Sequence, residues 1–257
     1  MEALALEGLP EIEPGDDLAA AIGAVADPGD DDVVCVASTV VSKAEGRLAD
    51  LEEFPPGPRA EEIADRLTDL TGEHKDPRFA QAVLEESTEV IMEAPFLLTE
   101  TRFGHVGVNA GIDRSNAPGA DLLLLPERPT ESAERIRENL AADPAVVVTD
   151  TCGRAFRHGQ TAVAIGWAGT PASRDWRGER DRAGHELEAT VQAVVDELAG
   201  TANLLMGEGA GGVPAVLLRE WAFGDHEGGE NLFRGVESDF VRQALREWSY
   251  DPGGEHP

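Results

Sequence analysis

Apolar positions along the chain follow two rhythms. Val33-Val34-Cys35-Val36-Ala37 is a short, β-branched, unbroken apolar run, the pattern of a buried strand. Val90 to Thr99, the segment around Val106, Leu122 to Leu125, Val146 to Thr149 and Ala162 to Trp167 read as further extended pieces. Helical spacing fills the intervals. Asp16 and Asp17, after Pro14-Gly15, open a short Ala-rich helix to about Ala26. A loop with Pro55, Pro56 and Pro58 leads to a helix from about Arg59 to Leu70, and Asp76-Pro77 starts another. Ala133, Ile136 and Leu140 share one helical face. Leu187, Val191, Val194, Val195 and Leu198 predict a longer helix beginning after Gly184. A last helix is expected near Ser238 to Trp248, followed by a frayed tail, Asp251 to Pro257. Strands and helices mix without a regular βαβ rhythm, so the expected class is α+β. The 257 residues are read as one domain over 1–250, with room for two lobes.

Composition narrows the partners. Asp and Glu number 50 against 21 Lys and Arg, a formal net charge of −29, which repels nucleic acid and anionic lipid alike. Aromatic residues are 5%, too few for base-stacking platforms. The basic residues are almost all arginine; Lys43 and Lys75 are the two lysines. Many carboxylates with little lysine is the balance expected of a chain that stays soluble in concentrated salt, where the Debye length shrinks to about 3 Å. The opening MEALALEGLP has no signal-peptide pattern, and no run reaches about 18 apolar residues, so neither export nor a membrane span is expected. Cys35 and Cys152 do not read as a disulfide framework or a zinc site, which fits a reducing cytoplasm.

Four segments carry chemistry. Val108 to Asn116 sets Asn109, Asp113, Ser115 and Asn116 around Gly111, a carboxylate beside amide and hydroxyl oxygens that suits a hard cation. The same residues also make an ordinary strand-connecting turn. In Val146 to Arg154 an apolar strand delivers Asp150 and Thr151 at its carboxyl end, followed by Gly153 and Arg154. An aspartate there can hold a metal that bridges phosphates, and an arginine can fork onto phosphate or carboxylate; a turn capping the strand is the plainer alternative. Met206 to Pro214 is glycine-rich around Glu208 and lets backbone amides approach an anion. It lacks the Gly-Lys-Ser/Thr of a P-loop, and a helix, not a strand, precedes it. Ser38-Thr39 with Lys43 follows the first buried strand, again suited to phosphate or carboxylate. No zincin helix and no Gly-x-Ser-x-Gly elbow is present.

Taken in order, these segments resemble one known set. Leu9-Pro10-Glu11-Ile12, Ser38-Thr39 with Lys43, Asn109-Ala-Gly-Ile-Asp113-x-Ser115-Asn116, Asp150-Thr151-x-Gly153-Arg154, Asp181-x-x-Gly184 and Gly207-Glu208 with Pro214 are similar to the coenzyme F420:L-glutamate ligase (gamma-glutamyl ligase) family, from about Leu6 to about Leu245. The pattern departs from that family at Glu220, where glycine is expected after Arg219.

The resemblance implies an unusual α+β fold in an intertwined homodimer, and a cytoplasmic ligase of the type found in salt-adapted archaea. It implies GTP as co-substrate, two divalent ions (manganese or magnesium) with potassium as a candidate monovalent ion, and L-glutamate added to coenzyme F420-0 and then F420-1. Asp113, Asp150 and Glu208 become the catalytic carboxylates: Asp113 and Asp150 on one metal, Thr151 and Glu208 on the other. Leu9, Pro10, Glu11, Ile12, Ser38, Thr39, Lys43, Asn116 and the loop Met206, Gly207, Glu208, Gly209, Ala210, Gly211, Gly212 and Val213 are assigned to the nucleotide. The competing expectations are a GTP- and metal-dependent phosphotransferase or amide ligase on another acidic substrate, and a non-catalytic nucleotide-binding protein.

Overall fold

The computed structural model describes residues 1–209, 211–221 and 228–250. The chain forms two compact units, Met1–Gly46 with Arg128–Leu232, and Arg47–Glu127 with Phe233–Pro257. The first unit opens with β1 (Glu2–Ala5), α1 (Leu18–Val25), β2 (Val33–Ala37) and α2 (Ser38–Ala44). The second then takes β3 (Leu48–Ala49), α3 (Pro58–Thr71), α4 (Pro77–Glu85), β4 (Ser87–Met92), β5 (Leu98–Thr101), β6 (Val106–Val108) and β7 (Leu122–Leu123). The chain returns to the first unit for α5 (Pro129–Asn139), β8 (Ala145–Gly153), β9 (Gln160–Ala168), β10 (Arg174–Asp175), β11 (Val191–Gln192), α6 (Val194–Met206) and β12 (Ala215–Arg219). It closes in the second with α7 (Phe240–Glu247). Helices and mixed strands together bear out the α+β class.

The first unit is built on a five-stranded sheet of order β1-β12-β2-β8-β9. Its one parallel pair is β2–β8; the other neighbours run antiparallel. Val33, Val34, Cys35 and Val36 are all buried, and so are Val146, Val147 and Val148. Consecutive strand side chains point to opposite faces, so both faces of this sheet centre are covered. Helices α5 and α6 both pack on β8 and β9. In the second unit α3 packs on α4, and Ile63, Leu67, Val83, Leu97, Ile112 and Leu122 share one aliphatic core.

Three of the helices, α1, α4 and α7, start on a capping carboxylate. The Asp17 carboxylate accepts the Ala20 N–H, and Asp76 accepts the Arg78 N–H with Pro77 in the first turn. Asp239 caps α7 in the same way through the N–H groups of Val241 and Arg242.

Several expectations are corrected. The extended stretch from Val90 to Thr99 is two strands, β4 and β5, because Pro95 lies between them and has no N–H for a ladder. Leu140 is not on the α5 face: its backbone is extended and it ends the helix. Leu187 and Val191 do not belong to α6, which starts at Val194. They lie in a hairpin arm in which Trp176 N–H bonds Thr190 O, Gly178 N–H bonds Leu187 O and Leu187 N–H bonds Glu179 O. The arm turns at Asp181, whose carboxylate accepts the N–H groups of Ala183 and His185, so Asp181 and Gly184 form a turn and do not precede a helix directly. Ser38, Thr39 and Lys43, read as directly following the buried strand, sit on a helix, α2, that begins there. Asp150 and Thr151 lie within β8, which continues to Gly153 because β9 pairs with it there. Residues 251–257, expected to fray, are outside the described residues.

Candidate functional site

The first unit assembles its polar residues where β2 stops and β8 goes on. The parallel pairing ends at Ala37 opposite Thr149, and Asp150 and Thr151 then pair only with Val163 and Ala162 of β9. Loss of the neighbour strand opens the edge of β8 to side chains from elsewhere. Ser38, the first residue of α2, fills it: its buried hydroxyl donates to Asp150 Oδ1 at 2.8 Å. On the next residue the side chain turns to the other face, where Thr151 Oγ1 donates to Glu208 Oε1 at 3.3 Å.

Glu208 reaches Thr151 because of the residue before it. Gly207 ends α6 with φ 67° and ψ −178°, a backbone region that only glycine occupies without strain. A Cβ there would meet no atom within 4 Å, so the requirement for glycine is conformational and not steric. Asn203, on the last turn of α6, donates from Nδ2 to the same Glu208 Oε1 at 2.9 Å. Sequence reading missed Asn203; a polar residue near the end of a helix carries no distinguishing signal until the loop folds back on it. The loop's Ala210 lies outside the described residues.

Around this edge, Lys43 is buried on α2 and its ammonium meets Glu11 Oε1 at 2.7 Å, with Glu11 largely exposed. Thus the Leu9–Ile12 segment and Lys43, read separately in the sequence, are joined. Ile12 is 3% exposed and serves the core. Arg154 donates to the His158 carbonyl across the turn between β8 and β9. Burial, then the charges of Asp150 and Asp196, push the Cys152 thiol up, which removes it as a ready nucleophile. Burial also raises the Asp196 carboxyl, partly offset by the Ala164 N–H that it accepts.

The Val108–Asn116 segment belongs to the second unit. The Thr99 hydroxyl accepts the Ala110 N–H at 3.0 Å, and Asn109 and Ala110 both take positive φ. Gly111, at φ +69°, lies so close to Leu125 that a Cβ would sit 2.4 Å from Leu125 Cδ1. Asp113 is bridged to Leu123 through both backbone groups, and its carboxylate accepts the Ser115 N–H at 2.7 Å and the Ser115 hydroxyl at 2.8 Å. Asn116 follows at φ 55°.

The donors in both units are oxygens of carboxylates and hydroxyls, the set preferred by magnesium and manganese. Among the described residues no three or more His, Cys, Asp or Glu side chains cluster in the way a self-sufficient metal cage requires. No helix among the described residues is long and apolar enough to cross a membrane.

The family model for F420-0:Gamma-glutamyl ligase matches residues 8–220. The chain belongs to the F420-0:gamma-glutamyl ligase family. It is 72% identical over 251 residues to the coenzyme F420:L-glutamate ligase of Halobacterium salinarum, covering 98% of this chain and 99% of that one. It is 70% identical to the protein of that name from Halorubrum lacusprofundi, over 98% and 100% of the two chains. With the Archaeoglobus fulgidus protein of that name it shares 47% identity, over 96% and 98%. Membership of this family makes the chain an enzyme of the ligase class. As a gamma-glutamyl ligase family member it carries Glu220 at φ 51°, so the position expected to be glycine does take the left-handed backbone that glycine favours.

Proposed function

We propose that the chain is a GTP-dependent, metal-assisted ligase that joins L-glutamate to coenzyme F420-0, and further glutamate through γ linkages, in coenzyme F420 biosynthesis. The observation that carries this reading is the convergence of Thr151 and Glu208, 57 residues apart, beside the Ser38–Asp150 pair in a member of this family. Thr151 and Glu208 are assigned to one divalent ion; Asp113 and Asp150 are each assigned to the other. Magnesium and manganese are commonly held by one or two carboxylates plus waters and substrate phosphates, so a site short of three acidic side chains fits them. When bound, such ions would offset the charge that develops during phosphoryl transfer.

A carboxylate does not acylate an amine in water, because oxide is too poor a leaving group. A carboxylate oxygen of F420-0 attacks the γ-phosphorus of GTP, the bond from that phosphorus to the β,γ-bridging oxygen breaks, and GDP leaves. The glutamate amine then attacks the acyl carbon, phosphate departs with the C–O electron pair, and the amine gives up a proton. The chain's part is to orient these groups: Glu11, Lys43, Ser38, Thr39, Asn116 and the 206–213 loop toward the nucleotide, and Glu208 and Asp150 toward cations. The anionic substrates approach a chain of net charge −29, so cations and a few basic side chains have to supply the local positive charge. The same charge underlies a homodimer that assembles and works best in concentrated salt, in the cytoplasm.

The test is incubation with GTP, manganese or magnesium, F420-0 and L-glutamate, with products read by mass. A product one glutamyl residue heavier, with one GDP per amide, is expected, and a chelator should stop both. GDP without the amide, or full activity in chelator, would overturn the reading.

A further inference from the structure

We propose that Asn203 is a positioning residue for Glu208, holding one carboxylate oxygen so that the other is presented to a divalent cation. The inference rests on Glu208 being a cation ligand, as proposed above. Asn203 acts at two points. Its carbonyl accepts the Gly207 N–H at 2.9 Å and closes α6, and its Nδ2 donates to Glu208 Oε1 at 2.9 Å. The Thr151 hydroxyl reaches the same oxygen. Among the described residues, Glu208 Oε2 accepts no hydrogen bond.

What distinguishes Glu208 is a neutral amide and a neutral hydroxyl meeting on one carboxylate oxygen at the end of α6. Other glutamates are held in both ways: Arg47 holds Glu86 at 2.6 Å and Arg59 holds Glu93, whereas the neutral amides of Gln81 and Gln192 hold Glu85 and Glu197 at 2.8 and 2.6 Å. A guanidinium on Glu208 would fix the side chain equally well and also cancel the charge that attracts a cation. An amide and a hydroxyl fix it and leave that charge in place. Glutamate otherwise loses several side-chain rotamers on binding an ion, and a carboxylate already held loses fewer.

The experiment is a titration of the full chain with manganese alone, read by electron paramagnetic resonance of the free ion. Asn203→Ala should weaken one manganese site about tenfold, the scale seen when outer partners of metal ligands are removed. Glu208→Gln should abolish that site. In the ligation assay the Asn203→Ala defect should appear in the KM for manganese and be recovered by raising the ion, which a general folding defect would not do. Alanine favours the helix, and Asn203→Leu, with the same branching and number of side-chain heavy atoms but no donor, should give the same shift. If Glu208→Gln loses the site and both Asn203 variants bind manganese as wild type does, the role of Asn203 fails and that of Glu208 stands. Manganese binding unchanged in Glu208→Gln, or absent from wild type, overturns both.

Discussion

Glu208 and Glu100 show two ways of holding a glutamate. Glu208, in the first unit, is exposed and takes its hydrogen bonds from a hydroxyl and an amide. Glu100, in the second, is mostly buried and meets the guanidinium of Arg242 through two bonds, at 2.9 and 2.7 Å. Arg242 also binds Glu89, which in turn accepts from Arg246 at 2.6 Å, so α7 is clamped to β4 and β5 by paired charges. In the second arrangement the charge is cancelled and the contact serves docking. In the first it is kept, as the proposed cation site requires. Asp113, whose carboxylate accepts from the N–H and hydroxyl of Ser115, belongs with Glu208 in this respect even though it lies in the other unit. The distinction follows the partner's charge, not the unit.

The comparison can be broken by substitution. Asp150→Asn should lower ligation about 10³-fold, the scale for removing a group that stabilises developing charge, with unfolding little changed. Retained turnover at wild-type metal concentration would remove Asp150 from the site. Arg242→Met should cost about 3 kcal/mol of stability, because it leaves Glu100 without its cation and Glu89 with Arg246 alone; denaturant unfolding measures it. The Arg242 hydrogen bond also holds Glu100 below its ordinary value of 4.5. With the folded value depressed, that stabilisation is complete above the ordinary value and is lost as pH falls through the lowered one. Arg242→Met should therefore flatten the acid limb of stability below 4.5, and an unchanged limb would show that the clamp is not what acid breaks. Gly207→Ala should cost about 1–3 kcal/mol through its backbone and should weaken manganese binding by misdirecting Glu208. Ser115→Ala should change stability by about 0.5 kcal/mol or less, since the turn is exposed and has backbone bridges of its own.

Much of the fold was legible where local signals agreed with tertiary ones. Val33–Ala37 reads as a buried strand and is one, and Asp17 and Asp76 mark helix starts through the N–H groups they accept. Local spacing failed at Leu187 and Val191, where an apolar pair at helical distance sits in a hairpin whose ladder and Asp181 turn already satisfy the backbone. It also failed at Ser38, because the helix α2 follows a strand with no capping side chain to announce it. For the candidate site, glycine and acidic residues marked the segments, but which of them meet was not legible in the sequence. Ser38 meets Asp150 across 112 residues and Thr151 meets Glu208 across 57, distances that only the sheet order can bridge. Asn203 was hidden for the same reason: its role depends on Gly207 turning the chain back, not on its neighbours in sequence.

The most direct test of the central claim is to compare Glu208→Gln with Glu100→Gln in the ligation assay, with GTP, manganese, F420-0 and L-glutamate, across a range of manganese concentrations. The account predicts no glutamylated product from Glu208→Gln at any manganese concentration, and from Glu100→Gln a wild-type manganese dependence with reduced stability. Wild-type turnover by Glu208→Gln, or a manganese dependence that shifts equally in both variants, would contradict it.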